Sequence, residues 1–247
     1  MSSRITFVIL LLFLCVWEIA VNEFKISRWI LPSPTQVIAS LWEAKELIFY
    51  HGIQTLFEAF LGLIIAVFFA LFTAILMEWS QLCKKVIYPV ILISQTVPFI
   101  VLAPLLVIWL GFGISAKIIM VALVCFFPIA IHLYDGFAAV DTNAIKLLKS
   151  MGAHPWQVFQ FVKLPASLPF FFSGLRIAAT YAILTALISE WIGSDRGLGI
   201  FLIRSSKSYL TDRVFAIIVV ITLLSLVSVY SIDKIARTIT PWHYKNL

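Results

Sequence analysis

Six nearly unbroken apolar stretches, separated by shorter polar segments, run along the chain at residues 5–21, 55–77, 86–110, 118–134, 169–189 and 214–232. Each approaches the roughly 20 residues that cross a bilayer as helix. The pattern predicts an all-α polytopic membrane bundle of about six transmembrane helices, forming one domain over residues 1–247. Arg4 precedes the first stretch in the manner of a signal peptide, but no small-x-small cleavage site follows it, so a retained helix is expected. Residues 22–54 break the pattern. Leu31-Pro32-Ser33-Pro34 interrupts any helix. After it Trp42 and Leu47 mix with Glu43, Lys45 and Glu46, which predicts an amphipathic helix on the outer membrane surface.

Composition agrees with a membrane solvent. Hydrophobic residues make up 62% of the chain and charged residues 12%, against about a quarter charged in soluble proteins. The net charge of +6 falls between the apolar stretches, so it reads as membrane-flanking Lys and Arg and not as a nucleic-acid surface. Those cations divide almost equally between the two sides, so charge alone does not set orientation. Cys15, Cys83 and Cys125 have neither metal-type spacing nor a disulfide framework. The twelve acids are dispersed and the four histidines fall in four segments, so no catalytic constellation is expected.

Two stretches carry a small residue every fourth position: Gly62, Ala66, Ala70 and Ala74, then Gly174, Ala178, Ala182 and Ala186. Such ridges let helix backbones approach closely. They are expected either to face each other or to pack against other helices of the bundle, with Glu58 and Glu190 extending them toward the outer surface. Ser225, Ser228 and Ser231 suggest an interhelical hydrogen-bond line in the last stretch.

The polar segment 141–165 has its own design. Asp141, Thr142 or Asn143 can cap a helix whose apolar stripe is Ala144, Leu147, Leu148 and Met151, with Lys146 and Lys149 off the stripe. Gly152 can end that helix in the left-handed conformation, Pro155 suits the first turn of a second, and Val162-Lys163-Leu164-Pro165 leads into the fifth stretch. A helical elbow outside the membrane is predicted. It could equally be a hairpin lying on headgroups without a partner.

The third stretch is interrupted at Ser94-Gln95-Thr96 and Pro98, about 14 Å from its start and so near mid-bilayer; Pro128 interrupts the fourth at similar depth. Broken helices at matched depth are tolerated where they line a cavity, so Gln95, Thr96, Pro98, Pro128 and Cys125 are expected to border a pathway. Arg176 lies deep enough to need a partner, an anionic solute or an escape to the inner surface. His132 reads as a packed or interfacial histidine, and Glu190 with Trp191 as an outer-interface marker.

Several of these elements, in order, resemble the inner-membrane permeases of binding-protein-dependent ABC importers, in the branch serving sulfonates, taurine, nitrate and pyrimidine precursors. The similar elements include Leu31-Pro32-Ser33-Pro34, Val97-Pro98, Ala103-Pro104-Leu105, Trp109-Leu110-Gly111-Phe112-Gly113, Ala116-Lys117-Ile118 and Phe127-Pro128-Ile129. Gly152 through Leu164-Pro165, Glu190 and Gly197-Leu198-Gly199 complete them. The resemblance implies a multi-pass protein of a prokaryotic inner membrane, and makes 141–165 a cytoplasmic coupling loop. Lys146, Leu147, Leu148, Met151, Gly152, Val162, Leu164 and Pro165 would then meet an ABC ATPase. It further implies a second permease copy, an external substrate-binding protein, and ATP with Mg²⁺ on the partner and no cofactor on this chain. Where the family's loop usually opens Glu-Ala-Ala, this chain has Lys146-Leu147-Leu148, so docking is expected to rest on apolar contact. The chain has no Gly-x4-Gly-Lys-Ser/Thr phosphate loop, so energy must come from a partner. The rival reading is a secondary transporter driven by an ion gradient, which would need acids at mid-span.

Overall fold

The computed structural model describes residues 2–244. The elements are α1 (Ser2–Glu23), α2 (Pro34–Glu43), α3 (Lys45–Trp79), α4 (Gln81–Ser94), α5 (Phe99–Leu110), α6 (Ile114–Ala138), α7 (Thr142–Ser150), α8 (Pro155–Val158), α9 (Leu164–Glu190), α10 (Leu198–Lys207), α11 (Thr211–Ile239) and α12 (Pro241–Tyr244). Among the described residues five segments are long and apolar enough to cross a bilayer, and α4 with α5 makes a sixth if the pair counts as one.

The third predicted span is not straight. α4 and α5 meet at 102° across residues 95–98. Pro98 cannot donate to a continuing helix and excludes α conformation from the residue before it, so the chain turns there. The second span begins ten residues earlier than its apolar run, at Lys45. Its 35 residues measure about 52 Å, so its first turns project beyond a hydrocarbon core of about 30 Å. The amphipathic segment before it is therefore shorter than expected. α2 starts from a capping box, in which the Ser33 hydroxyl accepts from the Gln36 amide and the Gln36 side chain accepts from the Ser33 amide. It packs against α11, and Arg28 pairs with Asp212 at 2.6 Å beside it.

The centre of the bundle is α6, packed between α3 and α9. The small-residue ridges explain why, although they do not face each other as expected. A Cβ on Gly62 would meet Val121 at 2.5 Å and the Ile118 carbonyl at 2.9 Å; one on Gly174 would meet the Pro128 carbonyl at 2.7 Å. Both ridges therefore dock on α6, whose Val121, Cys125 and Ile129 are wholly buried between them. Ala70, Ala74, Ala178 and Ala186 are wholly buried too. Lipid contributes no hydrophobic drive between helices, so this close backbone approach is what supplies the packing energy. The serine line of α11 turns inward on its own helix: Ser228 and Ser231 donate to the carbonyls of Leu224 and Val227. By contrast α1 is almost uncovered, held mainly by the Glu18 carboxylate on the amide and hydroxyl of Thr35 and by Trp17 against Phe215.

Candidate functional site

Three places concentrate polar or exposed groups, and they lie at the two ends and the middle of the bundle.

At one end is the elbow. The Asp141 carboxylate accepts from the Asn143 amide at 2.8 Å and starts α7. Gly152, at φ +83°, ends it: its amide reaches the Lys149 carbonyl and the Ala153 amide reaches that of Leu148, both at 3.0 Å. This is a Schellman closure, and only glycine holds that φ without strain. α8 opens with Pro155 and a second capping box between His154 and Gln157. It runs through a widened π turn, Phe159–Lys163, straight into α9. Leu147 and Met151 are 64% and 74% exposed, and Phe161 is 67% exposed, so the elbow shows an uncovered apolar surface. Lys146 and Lys149 are exposed beside it. Leu148 is half-buried, as are Val162 and Pro165, whereas Leu164 is exposed.

The elbow is pinned to the bundle on its other side. Phe159 is buried with its ring 5.6 Å from Trp156, 5.8 Å from Trp79 at the end of α3, and 5.5 Å from Phe137 at the end of α6. Lys163 pairs with Glu78 next to them. One aromatic knot thus joins the elbow to the adjacent ends of α3 and α6. The sequence reading missed it, because the partners come from three separate segments.

In the middle, the α4–α5 bend opens a cavity of about 410 Å³ between α4, α5, α6 and α9. Gln95 and Pro128 line it, together with Ser94, Phe99, His132 and Tyr181. Thr96, Pro98 and Arg176 do not reach its wall. The Thr96 hydroxyl bonds back to the Ile93 carbonyl. Cys125 also stays away, buried with its thiol on the Ala178 carbonyl. Arg176 turns to α11, where its Nε lies 2.7 Å from the Asp233 carboxylate as an ion pair.

At the end opposite the elbow lies a buried polar lock. Glu58 sits 21 residues before Trp79, about 31 Å along α3 and so near the far membrane boundary. Glu58 and Glu190 are both 0% exposed, buried where the sequence placed them near the surface. Lys117 of α6 donates to Glu58 at 3.2 Å and to Ser194 at 2.7 Å. Glu190 accepts from Thr55 at 2.6 Å with one oxygen and from the Gly199 amide at 2.5 Å with the other. The amides of Gly197 and Leu198 go to His51 Nδ1 at 3.0 Å and Thr55 at 2.8 Å. The N-terminus of α10 is therefore capped entirely from α3 and α9, with a carboxylate at its positive end. Gly197, at φ +123°, is required because a Cβ there would strike the Glu190 carboxylate, and Gly199 because one there would meet the Leu187 carbonyl at 2.2 Å. The signal in the sequence was Gly197-Leu198-Gly199 following a lone acid in an apolar stretch. Among the described residues no group of three or more His, Cys, Asp or Glu side chains is placed to hold a metal ion.

A bundle of membrane-length apolar helices, with a cavity between α4, α5, α6 and α9 and an exposed apolar elbow at one end, fits a membrane transport subunit. The chain belongs to the family of binding-protein-dependent transport system inner membrane components, which matches residues 62–241. It is 36% identical to a probable ABC transporter permease protein of Haemophilus influenzae, covering 89% of this chain and 90% of the relative. It is 33% identical to the formylaminopyrimidine transport permease protein of Halalkalibacterium halodurans, covering 95% and 94%. It is 32% identical to the taurine transport system permease protein of Escherichia coli, covering 98% and 92%. The fold is similar to a solved amino acid ABC transporter determined with histidines, at TM-score 0.65 and 22% identity over 82% of this chain and 97% of that one. An inward-facing methionine ABC transporter gives TM-score 0.63 at 19% identity, over 81% and 97%. The protein is a multi-pass inner-membrane permease of an ABC importer, in the sulfonate, taurine and pyrimidine-precursor branch. It is a transport subunit, and these relatives favour ATP-driven import over ion-coupled transport.

Proposed function

We propose that this chain is one half of a paired permease, residues 1–247 acting as one unit, that passes a small organic solute when cytoplasmic ATPases move its elbow. Those ATPases carry the ATP and Mg²⁺. The observation that carries this reading is the elbow itself. Its apolar side chains Leu147 and Met151 are left uncovered, while its opposite side is tied by Phe159, Trp156 and Lys163 to the ends of α3 and α6. A part that grips a partner on one face and two core helices on the other is suited to transmit movement. A second copy of the chain covers the open side of the α4–α5 cavity, and an external binding protein delivers the solute to the end sealed by Glu58, Lys117 and Glu190. The relatives named for formylaminopyrimidine and for taurine bracket the solute classes.

The test is uptake into proteoliposomes holding the permease, its cognate ATPase and its binding protein. Uptake should require internal-facing ATP, and cysteines at Leu147 or Met151 should cross-link to the ATPase. Uptake on a cation gradient without ATP would overturn the reading, as would an elbow labelled from the outer side.

A further inference from the structure

We infer that the lipid-facing groove between α3, α4 and α6 binds an anionic phospholipid of the elbow-side leaflet, an acyl chain lying in the groove and the phosphate meeting Lys84 and Lys85. The groove is a separate space from the α4–α5 cavity, although Ser94, Leu123 and Phe127 border both. The inference holds whichever solute the protein carries.

The groove encloses about 620 Å³. Its walls are apolar except for Thr73 and Ser94, and the Thr73 hydroxyl is committed to the Phe69 carbonyl. Phe69, Phe72 and Val90 are each more than half exposed along it, so it opens sideways toward lipid. On α3 it runs from Ile65 to Leu76, eleven steps of about 1.5 Å or about 16 Å. That is the depth of one leaflet, half of a hydrocarbon core of about 30 Å. Its deep end is Ser94, at the α4–α5 bend, and its other end is Leu76 and Ile87, toward the elbow. A long apolar slot of leaflet depth suits an acyl chain.

The elbow end supplies the headgroup chemistry. On α4 the groove is lined by Ile87, Val90, Ile91 and Ser94, in steps of three and four, and the same stripe continued one turn back reaches Lys84. Its Nζ lies 5.3 Å over the ring of Tyr134 on α6, and Lys85 is exposed beside it. Among the described residues neither lysine is in an ion pair, whereas Lys163 is committed to Glu78. With that pair and Asp135 of α6, which faces Tyr88, included, three cations stand against two anions. Cations near the start of a helix oppose its macrodipole, and α4 has no acid in its first turn to offset them. The start of α4 is thus an uncompensated positive pole, beside the half-exposed Trp79 that marks the membrane interface. A phosphodiester at that level meets both lysines while its chain fills the slot directly beyond.

The experiment is native mass spectrometry of the assembled transporter, delipidated in detergent and offered phosphatidylglycerol and phosphatidylcholine with identical chains. Phosphatidylglycerol should be retained about tenfold or more in preference to phosphatidylcholine. Lys84→Gln with Lys85→Gln should bring that preference to within about twofold, and Lys84→Arg with Lys85→Arg should keep it. Thr73→Trp, which fills the groove, should lower retention of both lipids. Lys45→Gln, at the opposite end of α3, should change neither. Each spectrum also reports assembly, so lost binding is told apart from lost folding. Equal retention of the two lipids by the unaltered protein would overturn the inference, as would a preference that survives the double glutamine variant or retention untouched by Thr73→Trp. Disulfide-linked dimers formed through Val90→Cys in native membranes would overturn it too, because a second copy would then occupy the groove.

Discussion

Replacing Lys117 by Met removes the cation from the sealed end while nearly preserving side-chain length. Glu58 would then keep only its bond from Gln54, at 2.8 Å, inside a site where it is 0% exposed. Removing one partner of a buried ion pair typically costs about 3–5 kcal/mol, because the survivor stays desolvated. For a chain of this size each kcal/mol moves the unfolding midpoint by about 2–4 °C, so Lys117→Met should lower it by about 6–20 °C. Replacing the pair together, Lys117→Met with Glu58→Gln, should recover most of that loss, since a neutral amide still accepts from Gln54 and no charge is stranded. The assay is thermal unfolding of the purified permease in one detergent at one scan rate, which makes midpoints comparable even when unfolding is irreversible. If the single variant melts with the parent, or the double variant melts no later than the single, the pair is not what holds α3 to α6 at that end.

Other consequences follow from the same geometry. Gly174→Val should cost about 1–3 kcal/mol by forcing α9 off α6, where even a Cβ meets the Pro128 carbonyl at 2.7 Å, and unfolding midpoints would show it. Phe159→Ala should leave ATP hydrolysis by the assembled transporter while cutting solute uptake at least about tenfold, seen as a changed ratio of hydrolysis to transport. Gly152→Ala should strain the elbow by about 1–2 kcal/mol at φ +83°, raising its susceptibility to limited proteolysis. Lys146→Glu should keep uptake within about twofold, because exposed charges contribute little and the neighbouring contact surface is apolar.

The membrane spans were legible in the sequence because lipid demands long apolar runs whatever the tertiary fold. The elbow was legible for a different reason: caps, Schellman glycine and helix-starting proline act over four or five residues, and Asp141, Gly152 and Pro155 each sit where local rules put them. The small-residue ridges announced close packing but not its partner, since Gly62 and Gly174 carry no mark of the helix they touch. The break at Pro98 was readable, while the 102° turn depended on what α5 packs against. The polar lock was hidden because its bonds join residues as far apart as Thr55 and Glu190, 135 positions in sequence. Arg176 was seen to need a partner, and Asp233 on another helix could not be singled out from spacing.

The widened turn at Phe159–Lys163 sets how the elbow relates to the crossing helix beyond it. A π turn holds one residue more than the α ladder around it, and one residue subtends about 100° of an α-helix. Passing that surplus residue up or down the chain would spin one segment against the other like a bolt in its thread, with hydrogen bonds swapped and none lost. Deleting a single position there would freeze the phase between handle and shaft.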